Sequence, residues 1–428
     1  MHGSGLYTSI QSGGRAEKLA ARNFRNTDIP IMAAPSNLKL VLVLALISGL
    51  GPISIHVIVP VLPSIKVAFE ASNAVTQLTL TLGVVTMALA TIGFGPAADR
   101  YGRKPVTVVG LFLFVIGSGL CLWSPNIEAL IFGRVVQAIG GAAGIVVSRA
   151  IIRDMFSREE TARVLGQVMS IVVLAPVLAP VIGGFLAEFT GWRTVFVLAG
   201  GMGLLAVVVA LPALRETHTP REGGNLFGQM LRAYPVLLRS PAFIAYAGYA
   251  GCGMGIFMVV AGGVPFLMVE VFDRSPSAFG LFFMCLTASF LVGTFATSRV
   301  TERFGLDRMI RIGSTGAALS AIAIPLLFLA GATSPWAIFA PGLVMGLSHG
   351  LAMPNAQAGG VSVNPQVAGS ASGLMMFLQM SIGAAFGQAA GMLPHSNPMP
   401  VALLIAAAGL GGFLVYNVPM LLSRKQAT

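Results

Sequence analysis

The chain has 428 residues, of which 55% are hydrophobic and only 10% charged, against about 25% charged in soluble domains. That balance excludes a water-soluble enzyme or binding domain and places most of the chain in a lipid bilayer. The formal net charge of +11 does not point to nucleic acid, because the basic residues sit in short loops between apolar runs, where they set topology.

The segment 1–37 is polar, carries Arg15, Lys18, Arg22 and Arg25, and contains no apolar run, so it reads as a cytoplasmic tail rather than a cleaved signal. Met32, just before the first apolar run, is an alternative start. A membrane-crossing helix needs about 20 mainly apolar residues. Twelve stretches meet this requirement: 38–61, 75–94, 106–123, 127–151, 164–187, 194–214, 243–269, 277–298, 309–329, 336–357, 369–393 and 401–422. They are numbered below as spans 1 to 12. The expected organisation is a six-helix bundle over 38–214, a polar cytoplasmic loop over 215–242 holding Pro220, Gly223 and Gly224, a second six-helix bundle over 243–422 and a short tail, 423–428. The fold class is an all-α polytopic membrane protein. With the N-terminus in the cytoplasm, Arg100, Arg103, Lys104, Arg149, Arg153, Arg215, Arg299, Arg303, Arg424 and Lys425 all fall on the cytoplasmic side, and only Lys66, Arg193 and Arg274 fall outside. Both termini are therefore expected in the cytoplasm. Asp99 matches Glu302, Gly166 matches Gly369 and Gly184 matches Gly387 at one constant offset, which argues for two related halves.

Several positions do not fit a plain lipid-spanning helix. His56 lies in span 1; its ordinary pKa of about 6.5 suits either a proton site or a hydrogen-bonding group for substrate. In the stretch 95–106, Pro96 is expected to end span 2 and Gly102 to make the turn, while Asp99 caps a helix or pairs with an arginine. Arg134 sits well inside span 4, with Gln137 one turn on along the same face. A guanidinium there is costly, so it is expected to face a cavity or a partner; the alternative is snorkelling to the headgroups. Gly140, Gly141 and Gly144 follow, where another helix can approach closely. At the end of span 4, Arg149 and Arg153 share a face with Asp154 adjacent. They are read as an ionic gate with Asp99, or else as a solvated charge cluster. In span 5, Pro176 and Pro180 kink the helix on one side ahead of Gly183 and Gly184, a seam for rocking motion. His349 lies in span 10 with Asn355 and Gln357, either in the site or in packing. The 20 Met and 26 Phe, many of them in the second half, suit a pliable apolar site or lipid-facing filler. Cys121, Cys252 and Cys285 lie in apolar runs and read as packing residues. No metal-ligand spacing, catalytic nucleophile or nucleotide-binding P-loop is present, so neither a cofactor nor ATP is expected and the chain is not read as an enzyme.

The pattern G-x-x-x-D-R-x-G-R-K from Gly95 resembles the signature of the major facilitator superfamily between its second and third spans. R-x-x-Q from Arg134, with its glycine two residues late, resembles the span-4 signature tied to proton relay in proton-coupled members. The run from Leu174 to Gly184 resembles the superfamily's G-P-x-x-G-G antiporter motif, with Ala179 in place of a glycine. The proline frame from Gly51, the Ser275-Pro276 and Phe279-Gly280 pairs, and Gly369-Ser370-Ala371-Ser372-Gly373 with Gln379 resemble the drug:proton antiporters of the Bcr/CflA type. That branch usually has an aspartate where this chain has His56.

The resemblance implies the major facilitator fold, with two pseudo-symmetric six-helix bundles around a mid-membrane site. It further implies a monomer of the bacterial inner membrane that exports hydrophobic or amphiphilic drugs against protons. On the residues and the resemblance together, His56, Arg134, Gln137, His349 and Gln379 are the candidates for substrate or proton handling. Asp99, Arg100, Gly102, Arg103, Arg149, Arg153 and Asp154 fall to a conformational gate, and Pro176, Pro180, Gly183 and Gly184 to the antiporter motif. The rival readings are a transporter of one specific metabolite and a non-transporting membrane sensor.

Overall fold

The computed structural model describes residues 38–217 and 226–425. The tail 1–37 with its basic residues and Met32, the loop residues Pro220, Gly223 and Gly224, and 426–428 lie outside the described residues. The chain divides into an N-terminal unit, Met1–Lys39, and a body, Leu40–Thr428, to which the following account applies.

Among the described residues all regular structure is helical. Twelve helices are long and apolar enough to cross a membrane: Leu38–Ala68, Asn73–Tyr101, Arg103–Leu122, Ile127–Met155, Arg163–Phe189, Thr194–Ala213, Pro241–Glu270, Pro276–Phe304, Leu306–Leu329, Trp336–Ser362, Pro365–Met392 and Met399–Met420. They answer one for one to the twelve apolar stretches. Several are longer than hydropathy alone defines, because their ends carry polar residues that hydropathy discounts while helical hydrogen bonding continues.

Span 2 is the clearest example, and it corrects one expectation. Pro96 does not end the helix, which continues to Tyr101. A proline removes one donor, and a membrane helix tolerates this because its other carbonyls keep their partners. The helix stops at Gly102, whose φ of +95° is a conformation that disfavours side chains and whose N–H still reaches Ala98 O at 3.2 Å. Gly305 ends span 8 in the same way, with φ +78° and its N–H on Thr301 O at 2.8 Å. The repeat read from Asp99 and Glu302 is thus a repeated physical device, a glycine corner closing the second helix of each half.

A second expectation is corrected in the central segment. Residues 226–238 are not loop but a helix, Leu226–Leu238. Leu237 and Tyr234 pack with Phe243 and Tyr246 of span 7. The apolar residues recur at helical spacing, but the segment is too short to span, and Pro235 makes it read as a break.

Packing follows the two halves. In the first, span 3 lies against spans 4 and 6, and span 2 against span 4. In the second, span 7 lies against spans 10, 11 and 12, and span 10 against spans 8 and 9. The halves meet where span 2 packs on span 11 and span 5 on span 8. Spans 8 and 11 occupy in the second half the places of spans 2 and 5 in the first, so these two contacts are one contact repeated by the internal symmetry. Large apolar side chains such as Val208, Phe295, Leu319 and Leu329 remain exposed on the outside, as a lipid-facing surface requires.

Candidate functional site

The connections near Gly102, Phe156 and Gly305 lie at one end of the bundle, the Arg103 end. Those near Ala71, Asp273 and Ser396 lie at the other, the Lys66 end. Among the described residues, the side-chain hydrogen bonds that join the halves all lie at the Lys66 end. Lys66 Nζ contacts Glu270 Oε1 at 2.6 Å, Asn73 Nδ2 lies 2.8 Å from His395 Nδ1, and Gln388 Nε2 donates to Ala74 O at 3.0 Å. Close backbone packing reinforces the clamp. A side chain at Gly184 would strike the backbone of Pro276 and Ser277, and one at Gly280 would strike Pro180 and Val181. Gln77 is wholly buried in the same seam beside Gly262, Gly387 and Gly391, and neither of its amide atoms has a hydrogen-bond partner. Burial holds the His395 imidazole below its ordinary range; Glu270 opposes that shift and Lys66 reinforces it.

On the Arg103 side of this clamp lie two cavities, of about 290 and about 210 Å³, both lined from the two halves. They share His56 and Met254. The first is walled by Phe257, Val260, Leu286 and Phe290, the second by Met87, Ile145, Met376 and Met380. Polar groups are few. His56 Nδ1 lies 2.6 Å from Pro52 O. A carbonyl only accepts, so Nδ1 carries the proton and, in the neutral ring, Nε2 keeps its lone pair. Phe257 sits against the ring at 5.5 Å between centroids. His349 lines the first cavity, with Nδ1 at 3.2 Å from the Tyr249 hydroxyl and Nε2 buried without a partner. Gln379 also lines it and accepts from Gln357 Nε2 at 3.2 Å.

Arg134 and Gln137 do not line either cavity. They are buried in the first half, 2% and 0% exposed. Arg134 Nε donates to Thr79 O at 3.1 Å, its Nη1 donates to Gln137 Oε1, and Gln137 Nε2 donates to Ser118 Oγ at 2.7 Å. The guanidinium therefore faces a partner, ties spans 2, 3 and 4 together, and does not point to headgroups. No carboxylate pairs with it among the described residues.

The charge cluster at the Arg103 end is arranged differently from the expected gate. Asp99 Oδ1 pairs with Arg103 Nη1 at 2.6 Å and Asp154 Oδ2 with Arg103 Nε at 2.9 Å, so one guanidinium joins the ends of spans 2, 3 and 4. Arg149 is not part of this cluster and instead lines the second cavity. Asp154 lies five positions further along the chain, which turns the two to different sides of the helix. Arg153 is exposed, and Arg100 is exposed over the Tyr101 ring at 5.3 Å. Glu216, just past span 6, accepts from the backbone N–H groups of Arg103 and Lys104 at 2.8 and 3.1 Å, capping the positive end of span 3. In span 5, Pro176 lines the first cavity, whereas Pro180, Gly183 and Gly184 lie in the seam against spans 1 and 8. Sequence reasoning missed Glu216, Glu270, Asn73, Gln77 and His395, and counted Lys66 only as a topological charge. The available signal was that Lys66 and Glu270 end the first spans of the two halves on the same side.

Two helical halves clamped at one end over cavities that both halves line have the architecture of a membrane transporter. The Major Facilitator Superfamily pattern matches residues 44–388, and the chain belongs to that family. It is a multi-pass membrane protein, and its family is one of transporters rather than enzymes. It is 26% identical to the "Bicyclomycin resistance protein homolog" of Haemophilus influenzae over 88% of this chain and 94% of that one. It is 27% identical to the "Chloramphenicol resistance protein" of Pseudomonas aeruginosa over 87% of this chain and 89% of that one. Among solved structures, a bacterial homolog to the human lysosomal transporter Spinster, inward-facing and occupied, superposes with a TM-score of 0.74 at 21% identity, covering 92% of this chain and 98% of that one.

Proposed function

We propose that this transporter exports hydrophobic or amphiphilic drugs across the bacterial inner membrane in exchange for protons, in the manner of the bicyclomycin and chloramphenicol resistance type. The observation that carries the reading is the pair of cavities between the halves, apolar-walled, Met- and Phe-rich and sparing in polar groups. Such walls repack around varied apolar ligands. The names of the two curated relatives support drugs as the cargo.

The weight of Lys and Arg in the loops at the Arg103 end supports placing that end in the cytoplasm. The clamped Lys66 end is then outside, and the arrangement described is the inward-facing one. Cargo enters from the cytoplasmic side and rests against the Phe257 and Met254 walls. The halves rock, the Lys66–Glu270, Asn73–His395 and Gly184–Ser277 contacts part, and the cavity opens outward. The Arg103 bridge to Asp99 and Asp154 keeps the cytoplasmic ends of spans 2, 3 and 4 moving as one body. His56 supplies the proton site: its Nε2 is free to accept a proton at the junction of the two cavities. The protein acts as a monomer, since each chain holds a complete site.

The test is substrate-induced proton movement in proteoliposomes. Adding chloramphenicol to the purified protein under an imposed pH gradient should dissipate the gradient, and His56→Ala should abolish the proton movement. Drug movement without proton movement would overturn the exchange. His56→Asp places a carboxylate in the cavity wall and should shift preference toward cationic drugs by about ten-fold, a change of about 1.4 kcal/mol; drug-accumulation profiles against a neutral and cationic panel check it. A transporter of one specific metabolite would export none of that panel.

A further inference from the structure

The charges that line the two cavities are all of one kind. Neither cavity is lined by an Asp or Glu among the described residues. The permanent charge is Arg149, on the wall of the second cavity, and it has no hydrogen bond or ion pair among the described residues. Asp154, the acidic residue nearest to it along its own helix, is already held by Arg103 at 2.9 Å. His56 and His349 add nothing negative. The two cavities thus present a lone guanidinium at the Arg103-end wall, histidine edges at the centre and an apolar pocket of Phe257, Val260 and Leu286 beyond.

Resting on the export reading, we infer that the preferred cargo is an amphiphilic anion, whose acidic group is received by Arg149 and whose apolar body lies against Phe257 and Met254. A guanidinium offers a planar fork of donors that matches a carboxylate, sulfonate or similar oxyanion, and such charge-assisted bonds are roughly twice as strong as neutral ones. A lipophilic cation meets the same guanidinium with no compensating carboxylate on either cavity wall among the described residues. The alignment also sets orientation. The anionic head points back toward the Arg103 end, from which cargo enters, and the apolar end reaches the clamp. Arg149 is therefore a residue that selects cargo charge, rather than a gate residue.

The experiment measures equilibrium binding of three probes to the full chain in nanodiscs, with empty discs subtracted. The probes are 8-anilinonaphthalene-1-sulfonate, its uncharged relative N-phenyl-1-naphthylamine, and the cation tetraphenylphosphonium. The wild type should bind the sulfonate most tightly. Arg149→Gln should weaken the sulfonate by about ten-fold or more while leaving the neutral amine unchanged, and should strengthen the cation. Arg149→Lys should restore most of the sulfonate affinity. Unchanged binding of the neutral amine reports that the variants are folded and their cavity intact. The inference fails if the neutral amine binds but the sulfonate shows no preference and no response to Arg149→Gln, and the export reading then still stands. If none of the three probes binds the wild type, both fail. Tighter wild-type binding of the cation than of the sulfonate would overturn the inference alone.

Discussion

Arg134→Met should abolish drug export while leaving the protein inserted and no less stable. The expectation follows from where the guanidinium lies. It is buried in the first half with neutral acceptors only, the Thr79 carbonyl and Gln137, and without a paired carboxylate among the described residues. Removing a lone buried charge relieves its desolvation penalty, on the order of a few kcal/mol. Against this, Gln137 Oε1 loses its donor, which costs about 1–3 kcal/mol. The two nearly cancel, so the thermal midpoint should stay within a few degrees. Transport should not survive, because the guanidinium joins span 4 to span 2 at Thr79 O and, through Gln137, to span 3 at Ser118, and these spans must move as one body when the halves rock. Arg134→Lys should recover little, since a single ammonium cannot span both acceptors in the plane that the fork does. Thermal unfolding and proteoliposome export, measured on the same preparations, separate the roles. A stable variant with full export would make Arg134 a packing residue. A variant that loses export only in proportion to lost folded protein would do the same.

The fold was legible because lipid imposes simple rules. A spanning helix must be long and apolar, and basic loops mark one side; both signals are written into composition. All twelve spans were found on that basis. Their ends were not, because Asp99, Arg100 and Tyr101 continue the span 2 helix with polar side chains. The helix Leu226–Leu238 was missed because it lies between the halves and needs only one apolar face. The site was half legible. His56, His349, Gln379 and Pro176 line the cavities as residues that stand out in a lipid-spanning sequence should. Arg149 was misplaced because residues grouped by spacing along one helix need not share a neighbour once other helices pack around it. The Lys66-end clamp was invisible for a related reason. Asn73, Gln77, Lys66, Glu270 and His395 are ordinary residues near span ends, and only the packing of one half on the other gives them a common task.

That clamp yields the second large effect. Gly184→Leu should hold the protein open at the Lys66 end and reduce export by about ten-fold or more, whereas Gly184→Ala should be milder. Any side chain at Gly184 runs into the backbone of Pro276 and Ser277, which cannot rotate aside as a side chain would. Overpacking costs about 1–3 kcal/mol, and because the contact exists only where spans 5 and 8 close together, that cost falls on one state and not on the open one. A penalty of about 1.4 kcal/mol already changes the ratio of the states ten-fold. Spin labels on cysteines replacing Lys66 and Glu270, in a background without Cys121, Cys252 and Cys285, report the opening directly. In the parent the labels should be close, because positions 66 and 270 face each other across the clamp, their native side chains meeting at 2.6 Å; in Gly184→Leu the distance distribution should move to the longer, outward-open population relative to the same labelled parent. Gly387, its partner by internal symmetry, sits where span 11 meets Met258 of span 7 as well as Gln77 of span 2, and Gly387→Leu should act in the same direction but more weakly. An unchanged distance distribution with normal export in both variants would mean that the glycine seam is not a closing surface, and that the halves separate elsewhere.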